Sequence, residues 1–142
     1  MARTQTLRGM ATVTFFADDM DAATEWYTEF LGRPPYYEVL DDRGEPGYRE
    51  FRLGDQEQEL GLIHTRHAPG SPSGGPGGAV VFWHVDDVQG TLEKLMSMGA
   101  EVYEPLTERD EGFVTASVVD PFGNILGIMH NPHYLEILER SA

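Results

Sequence analysis

Five histidines and a set of carboxylates are the residues best able to do chemistry in this chain, because it has no cysteine. Without thiols there can be no disulfide, thiolate zinc site, iron–sulfur cluster or cysteine nucleophile. His64 and His67 lie three apart, as do His130 and His133. On a helix that spacing would put two imidazoles on one face, as a metal requires. Each pair instead starts on a strand-like run and passes into a loop or proline turn, so no shared face is expected. His84 closes another strand-like run. An imidazole there can act as a general base near neutral pH or anchor a ligand. The plainer reading is a rim histidine bonded to backbone or water. Glu59 is the second candidate for proton transfer. Ser117 lies in a strand without the Gly-x-Ser-x-Gly elbow of a serine nucleophile. Arg109, Asp110 and Glu111 read as a solvated charged turn.

The elements that must position these groups repeat. Asp18-Asp19-Met20 opens a helical pattern that ends at Gly32, and Asp86-Asp87-Val88 opens one that ends at Gly99. Ala22, Ala23, Trp26, Tyr27, Phe30 and Leu31 recur with a helical period in the first; Val88, Leu92, Leu95 and Met96 do so in the second. Aspartate at each start can cap free N–H groups, and glycine at each end can take the left-handed conformation. A short strand precedes each helix, at Ala11–Ala17 and Ala79–Val85. Three follow each: Tyr36–Leu40, Tyr48–Leu53 and Glu59–Thr65, then Glu101–Leu106, Gly112–Val119 and Ile125–His130. Turn residues separate them, among them Asp42-Arg43-Gly44 and Asp120-Pro121-Phe122-Gly123-Asn124. The copies are offset by 68 residues at the aspartates and 67 at the glycines. The fold class is therefore α+β, two tandem βαβββ units in a single domain over 1–142. Unit 1 spans about 10–67 and unit 2 about 79–130. Between them, residues 68–78 read as a Gly/Pro/Ser linker rather than a phosphate loop, because the Gly-Lys-Ser/Thr ending is missing. Asn131-Pro132 starts a C-terminal helix over about 132–140, with Tyr134, Leu135 and Leu138 on one face.

The net charge is −14, from 24 acidic and 10 basic residues. Such a surface repels nucleic acid and anionic membranes, so neither is an expected partner. No apolar run approaches the roughly 18 residues of a membrane helix. Met1–Met10 has Arg3 and Arg8 but no apolar core, so it does not read as a signal peptide. With the absence of cysteine, this favours the cytoplasm.

Three stretches resemble the vicinal oxygen chelate superfamily of glyoxalases, bleomycin-resistance proteins and extradiol dioxygenases. They are Phe15-Phe16-Ala17-Asp18-Asp19-Met20 running to Trp26-Tyr27 and Phe30-Leu31-Gly32, Val85-Asp86-Asp87-Val88 running to Gly99-Ala100, and Asp120-Pro121-Phe122-Gly123-Asn124. The resemblance implies that each unit curls into half of a cup with helices outside. Alternation then assigns the lining: Thr12, Thr14 and Phe16; Gly61, Ile63 and Thr65; Val80, Phe82 and His84; Gly127 and Met129. Trp83 falls on the helix side. Tyr36, Tyr37 and Tyr48 supply an aromatic edge or are ordinary strand residues.

Metal-dependent members of the resembled family carry His, Gln or Glu at one place on each of strands 1, 4, 5 and 8. Here those places hold Thr12, Gly61, Val80 and Gly127, with Glu59 brought in only by a shift of two residues. A cation needs three or four convergent donors, so no metal and no cofactor are expected. The implied activity is then that of a metal-free binder of a small organic ligand, such as an antibiotic or other natural product, and a homodimer. Phe16, Ile63, Phe82 and Met129 would form apolar walls, with Thr12, Thr14 and His84 as polar anchors, and Gly61 and Gly127 would leave room. Two alternatives stay open: a metal-independent enzyme using His84 or Glu59, and an interaction protein with a vestigial cup.

Overall fold

Asp19, two residues past the first strand, caps the first helix: its carboxylate accepts the Ala22 N–H at 3.0 Å. The computed structural model describes residues 8–68 and 78–141. Most of the expected linker and the first seven residues lie outside them. β1 (Thr12–Ala17) leads to α1 (Met20–Leu31), then β2 (Tyr37–Leu40), β3 (Pro46–Leu53) and β4 (Gln58–His64). The second pass runs β5 (Val81–His84), α2 (Val88–Ser97), β6 (Glu101–Glu108), β7 (Val114–Val119), β8 (Ile125–His130) and α3 (Pro132–Ser141). The chain divides into two compact units, residues 1–71 and 72–142.

Each unit builds its own four-stranded sheet, with the same strand order. In the first the order is β1-β4-β3-β2, in the second β5-β8-β7-β6. β1 pairs parallel with β4, and β5 with β8; the remaining pairs are antiparallel. A parallel pair needs a crossover, which α1 and α2 supply. α1 packs across β3 and β4, and α2 across β6, β7 and β8. The residues facing α1 are Phe15, Phe51, Leu60 and Leu62, which close around Ala23 and Tyr27, all buried. Phe15 and Phe51 stand 6.0 and 6.5 Å from the Tyr27 ring. Ala116, Val118, Leu126 and Ile128 do the same against Leu92 and Leu95. The strand pattern therefore places the helix side on one set of alternate residues and the functional candidates on the other.

Boundaries move where turn chemistry intervenes. β4 stops at His64, and Thr65 enters a 3-10 turn, Thr65–His67, so Thr65 does not line the strand. β7 starts at Val114 because Asp110–Gly112 form another such turn, with Glu111 at φ 58°. β5 starts at Val81, leaving Val80 before the strand. α2 ends at Ser97 with Met98 as its C-cap, and Gly99 follows at φ 92°. Asp120 closes its own turn: Oδ1 accepts the Phe122 and Asn124 N–H groups at 2.9 and 2.8 Å. That motif is structural.

Candidate functional site

Opposite α1, unit 1 presents one face of its sheet. The β1–β4 register sets Thr12, Thr14 and Phe16 level with Glu59, Gly61 and Ile63. β3 continues the rows with Arg52, Glu50 and Tyr48, and β2 adds Tyr37 and Val39. Glu59 thus shares this face without any shift of register and stands beside Thr12; Gly61 stands beside Thr14. The face grades from polar to apolar along the strands.

At the polar end, Thr12 donates its hydroxyl to Glu59 at 2.7 Å, and the Tyr36 hydroxyl reaches the other Glu59 oxygen at 3.3 Å. The Arg52 guanidinium lies 4.0 Å above the Tyr36 ring centre. In the middle, the Tyr48 phenol donates to the Glu50 carboxylate. Glu50 is only 8% exposed. Burial, and then the neighbouring Glu59 charge, push its carboxyl above the usual range, against the opposing pull of Arg52. Burial first, then Glu59 and Tyr37, likewise raise the Tyr48 phenol. Tyr48 also roofs Gly61: a Cβ there would stand 2.6 Å from the phenol oxygen. The room expected at Gly61 is therefore occupied by this ring.

At the apolar end, Val39, Leu40, Gly47, Tyr48 and Ile63 line a cavity of about 280 Å³, with Asp41 and His67 at its margin. Tyr36, Tyr37 and Tyr48 approach it in sequence, their ring centres 6.2 and 6.3 Å apart. Beside it the 3-10 turn brings His64 and His67 to 6.3 Å, so the pair does share a locality that the sequence did not suggest. Arg66 reaches both imidazoles and Asp41. Its guanidinium binds Asp41 and stands 3.3 Å from His64 Nε2. That charge holds the Asp41 carboxyl well below the usual carboxylate range.

In unit 2, Phe82 and His84 stand level with Gly127 and Met129, and Ser117 and Thr115 follow on β7. Trp83 pairs with Ile128, on the helix side. A Cβ on Gly127 would meet the Phe82 ring and the Val81 carbonyl oxygen, both at 2.7 Å, so the room expected at Gly127 is also filled. His84 Nδ1 accepts the Asn131 N–H at 3.0 Å. Its ring stacks on Tyr134, 4.9 Å away and 12° from parallel. An Nδ1 lone pair held by a backbone donor leaves the ring proton on Nε2, the wrong place for a base acting through that atom. His130 packs 5.3 Å from His84, whereas His133 meets Phe113, so that pair separates.

The expected metal positions do not fit a divalent ion. Thr12 is committed to Glu59, Gly61 and Gly127 lie under rings, and Val80 has no donor. Among the described residues no three His, Asp or Glu side chains converge on a metal site.

The residues the sequence reading passed over are Val39, Leu40, Glu50, Asp41 as a site group, and His67 as a cavity residue. Alternation along Tyr37-Glu38-Val39 and Tyr48-Arg49-Glu50 marks the face; Asp41 lies just before the Asp42-Arg43-Gly44 turn and carries no signal of its own.

Comparison with known proteins gives a family model described as Glyoxalase/Bleomycin resistance protein/Dioxygenase superfamily, matching residues 9–128. No curated protein matches the chain. Among solved structures, a glyoxalase-related enzyme from Fulvimarina pelagi aligns at TM-score 0.69 and 22% identity, over 89% of this chain and 90% of that one. TioX from Micromonospora sp. ML1 aligns at TM-score 0.62 and 19% identity, over 86% and 98%. A member of the same superfamily from Sphaerobacter thermophilus DSM 20745 aligns at 0.64 and 18%, over 89% and 100%. At these identities the likeness speaks for the fold.

Proposed function

The chain belongs to the glyoxalase/bleomycin resistance protein/dioxygenase superfamily, and from that premise we propose that it binds a small, largely aromatic organic molecule and releases it unchanged. The observation that carries this reading is the tyrosine row of unit 1 running into the cavity beside Ile63. Apolar walls with a few polar points are what a ligand pocket needs. Tyr36 and Tyr37 are 44% and 51% exposed, aromatic surface that stacking would cover. The role that follows is sequestration of an antibiotic or other natural product, in the cytoplasm and as a homodimer. Thr12, Thr14, Phe16 and Ile63 belong to the same face. Phe82, His84 and Met129 would serve unit 2.

A second reading, metal-independent proton transfer, draws on one observation: the buried Glu50 carboxyl, pushed above the usual range by burial and by the neighbouring Glu59 charge, beside the Tyr48 phenol that donates to it. Turnover separates the two. A thermal-shift screen of aromatic natural products tests the first. A ligand at about 100 times its dissociation constant adds about 2.7 kcal/mol, a rise of roughly 5–10 °C for a domain of this length. Tyr37→Ala should weaken each hit while leaving the apoprotein's midpoint in place. Absence of any hit across a diverse set removes the binder reading; hits returned chemically altered replace it with the enzyme.

A further inference from the structure

We infer that α3 is a pH-released latch, held on the unit 2 sheet by the neutral form of His84. The hold rests on a bond with only one allowed direction. A backbone N–H can only donate, so the Asn131 N–H at 3.0 Å fixes His84 Nδ1 as its acceptor. A doubly protonated imidazole donates from both nitrogens and accepts at neither. Charging His84 therefore sets two N–H groups against each other at the residue just ahead of α3, and the contact breaks. Asn131 is also the start of the helix: its Oδ1 accepts the His133 and Tyr134 N–H groups at 2.9 and 3.1 Å. One residue is thus both the cap of α3 and its anchor.

Little else secures the helix. None of its residues is buried. Tyr134 lies flat on the His84 ring, Asn131 Nδ2 reaches Met129 Sδ at 3.6 Å, and His133 meets Phe113. A helix of ten residues is too short to persist in water by itself, so a detached α3 frays. Its departure bares His84 and Met129, one end of the unit 2 face. Among the charged groups around His84, His130 on β8 packs 5.3 Å away, and two imidazoliums at that range repel. Asp87 is turned to the Gly90 N–H, and Arg109 is bonded to Thr115, one strand beyond Met129. Asp86, Glu136 and Glu139 are exposed. The Tyr134 stack tolerates either charge, since a cation over a phenol ring is attracted to it. The Asn131 bond tolerates only the neutral ring.

Amide hydrogen exchange of the full-length protein, corrected for the intrinsic pH dependence of exchange, tests the latch. Between about pH 7.5 and about pH 5.5, where histidine changes charge, the Asn131, Tyr134 and Leu135 amides should lose protection roughly five- to tenfold, the scale of one net hydrogen bond. Amides of β7 and α2 should keep theirs. His84→Asn keeps an oxygen acceptor near the place of Nδ1 and cannot be charged, so its α3 protection should stay level with pH. His130→Asn should still respond. Parent protection that is the same at both pH values, or a loss that survives His84→Asn, overturns the latch. Should His84→Asn leave α3 unprotected throughout, the imidazole proton shifts of the parent decide: the α3 amide shifts must follow the titration of His84, and a midpoint matching His130 or His133 instead overturns the assignment.

Discussion

Ser117 is fully buried, and its Oγ has no hydrogen-bond partner among the described residues. A buried hydroxyl without a partner lowers stability, because it has left water for nothing. Ser117→Ala should therefore raise stability by about 1 kcal/mol, read as a higher denaturant midpoint; a loss of that size would show that the hydroxyl has a partner in solution. Glu50 gives a pH-dependent prediction. Its folded pKa lies above its unfolded one, chiefly through burial, so ionisation penalises the native state and stability is lost as pH rises past the ordinary carboxyl range. Glu50→Gln keeps an oxygen for the Tyr48 hydroxyl and removes the charge. The variant should gain stability over the parent at pH 7 and show little difference near pH 4; the same gain at both values would exclude ionisation as the cause. At this scale the sequence was partly legible. Alternation alone puts Thr12, Thr14 and Phe16 on one face and Val13 and Phe15 on the other. The roofs over Gly61 and Gly127 were hidden, because they depend on which neighbour's ring leans across the strand, and alternation carries no information on lean.

The two helix starts show how far an element can be read from its residues. Asp19 and Asp87 were both recognisable as caps, and both accept the N–H three residues on, at 3.0 and 2.9 Å. Asp87→Ala should cost about 1 kcal/mol, the usual value for a lost N-cap. Gly90, in the first turn of α2, invites replacement by alanine, which ordinarily favours a helix by about 1 kcal/mol. Here a Cβ would stand 2.4 Å from Asp87 Oδ2, so the carboxylate must move off its donor. Gly90→Ala should then fail to stabilise the parent yet stabilise Asp87→Ala; thermal melts of the four proteins measure that coupling, and additive effects would refute it. Strand ends were less legible than helix starts. The 3-10 turn after β4 uses residues with neither glycine nor proline, and the one before β7 takes up Gly112, which alternation assigns to the strand; Thr65 and Gly112 look like strand until Ala68 and Phe113 bond back to Thr65 and Asp110.

For the whole molecule, the repeat was the most legible feature, since both halves carry the same punctuation at the same interval. The family match over residues 9–128 spans both. The charge of −14 is a property of the chain as a whole. Like charges repel in the compact state, and salt shortens their reach from about 30 Å at 0.01 M to about 8 Å at 0.15 M. The melting temperature should climb over that range; a fall would mean that ion pairs such as Arg49 with Glu38 and Asp21 outweigh the repulsion.

Tyr48 over Gly61 and Phe82 over Gly127 are one device used twice, a ring laid across the bare backbone of β4 and of β8. A glycine in an inner strand leaves peptide groups open to water on the side where a side chain would stand. The ring serves as a removable shutter, so local opening in each sheet should be timed by the swing of one aromatic side chain. In deuterium exchange, Tyr48→Ala should speed exchange of the amides around Gly61 while those around Gly127 keep their parent rates, and Phe82→Ala should do the reverse.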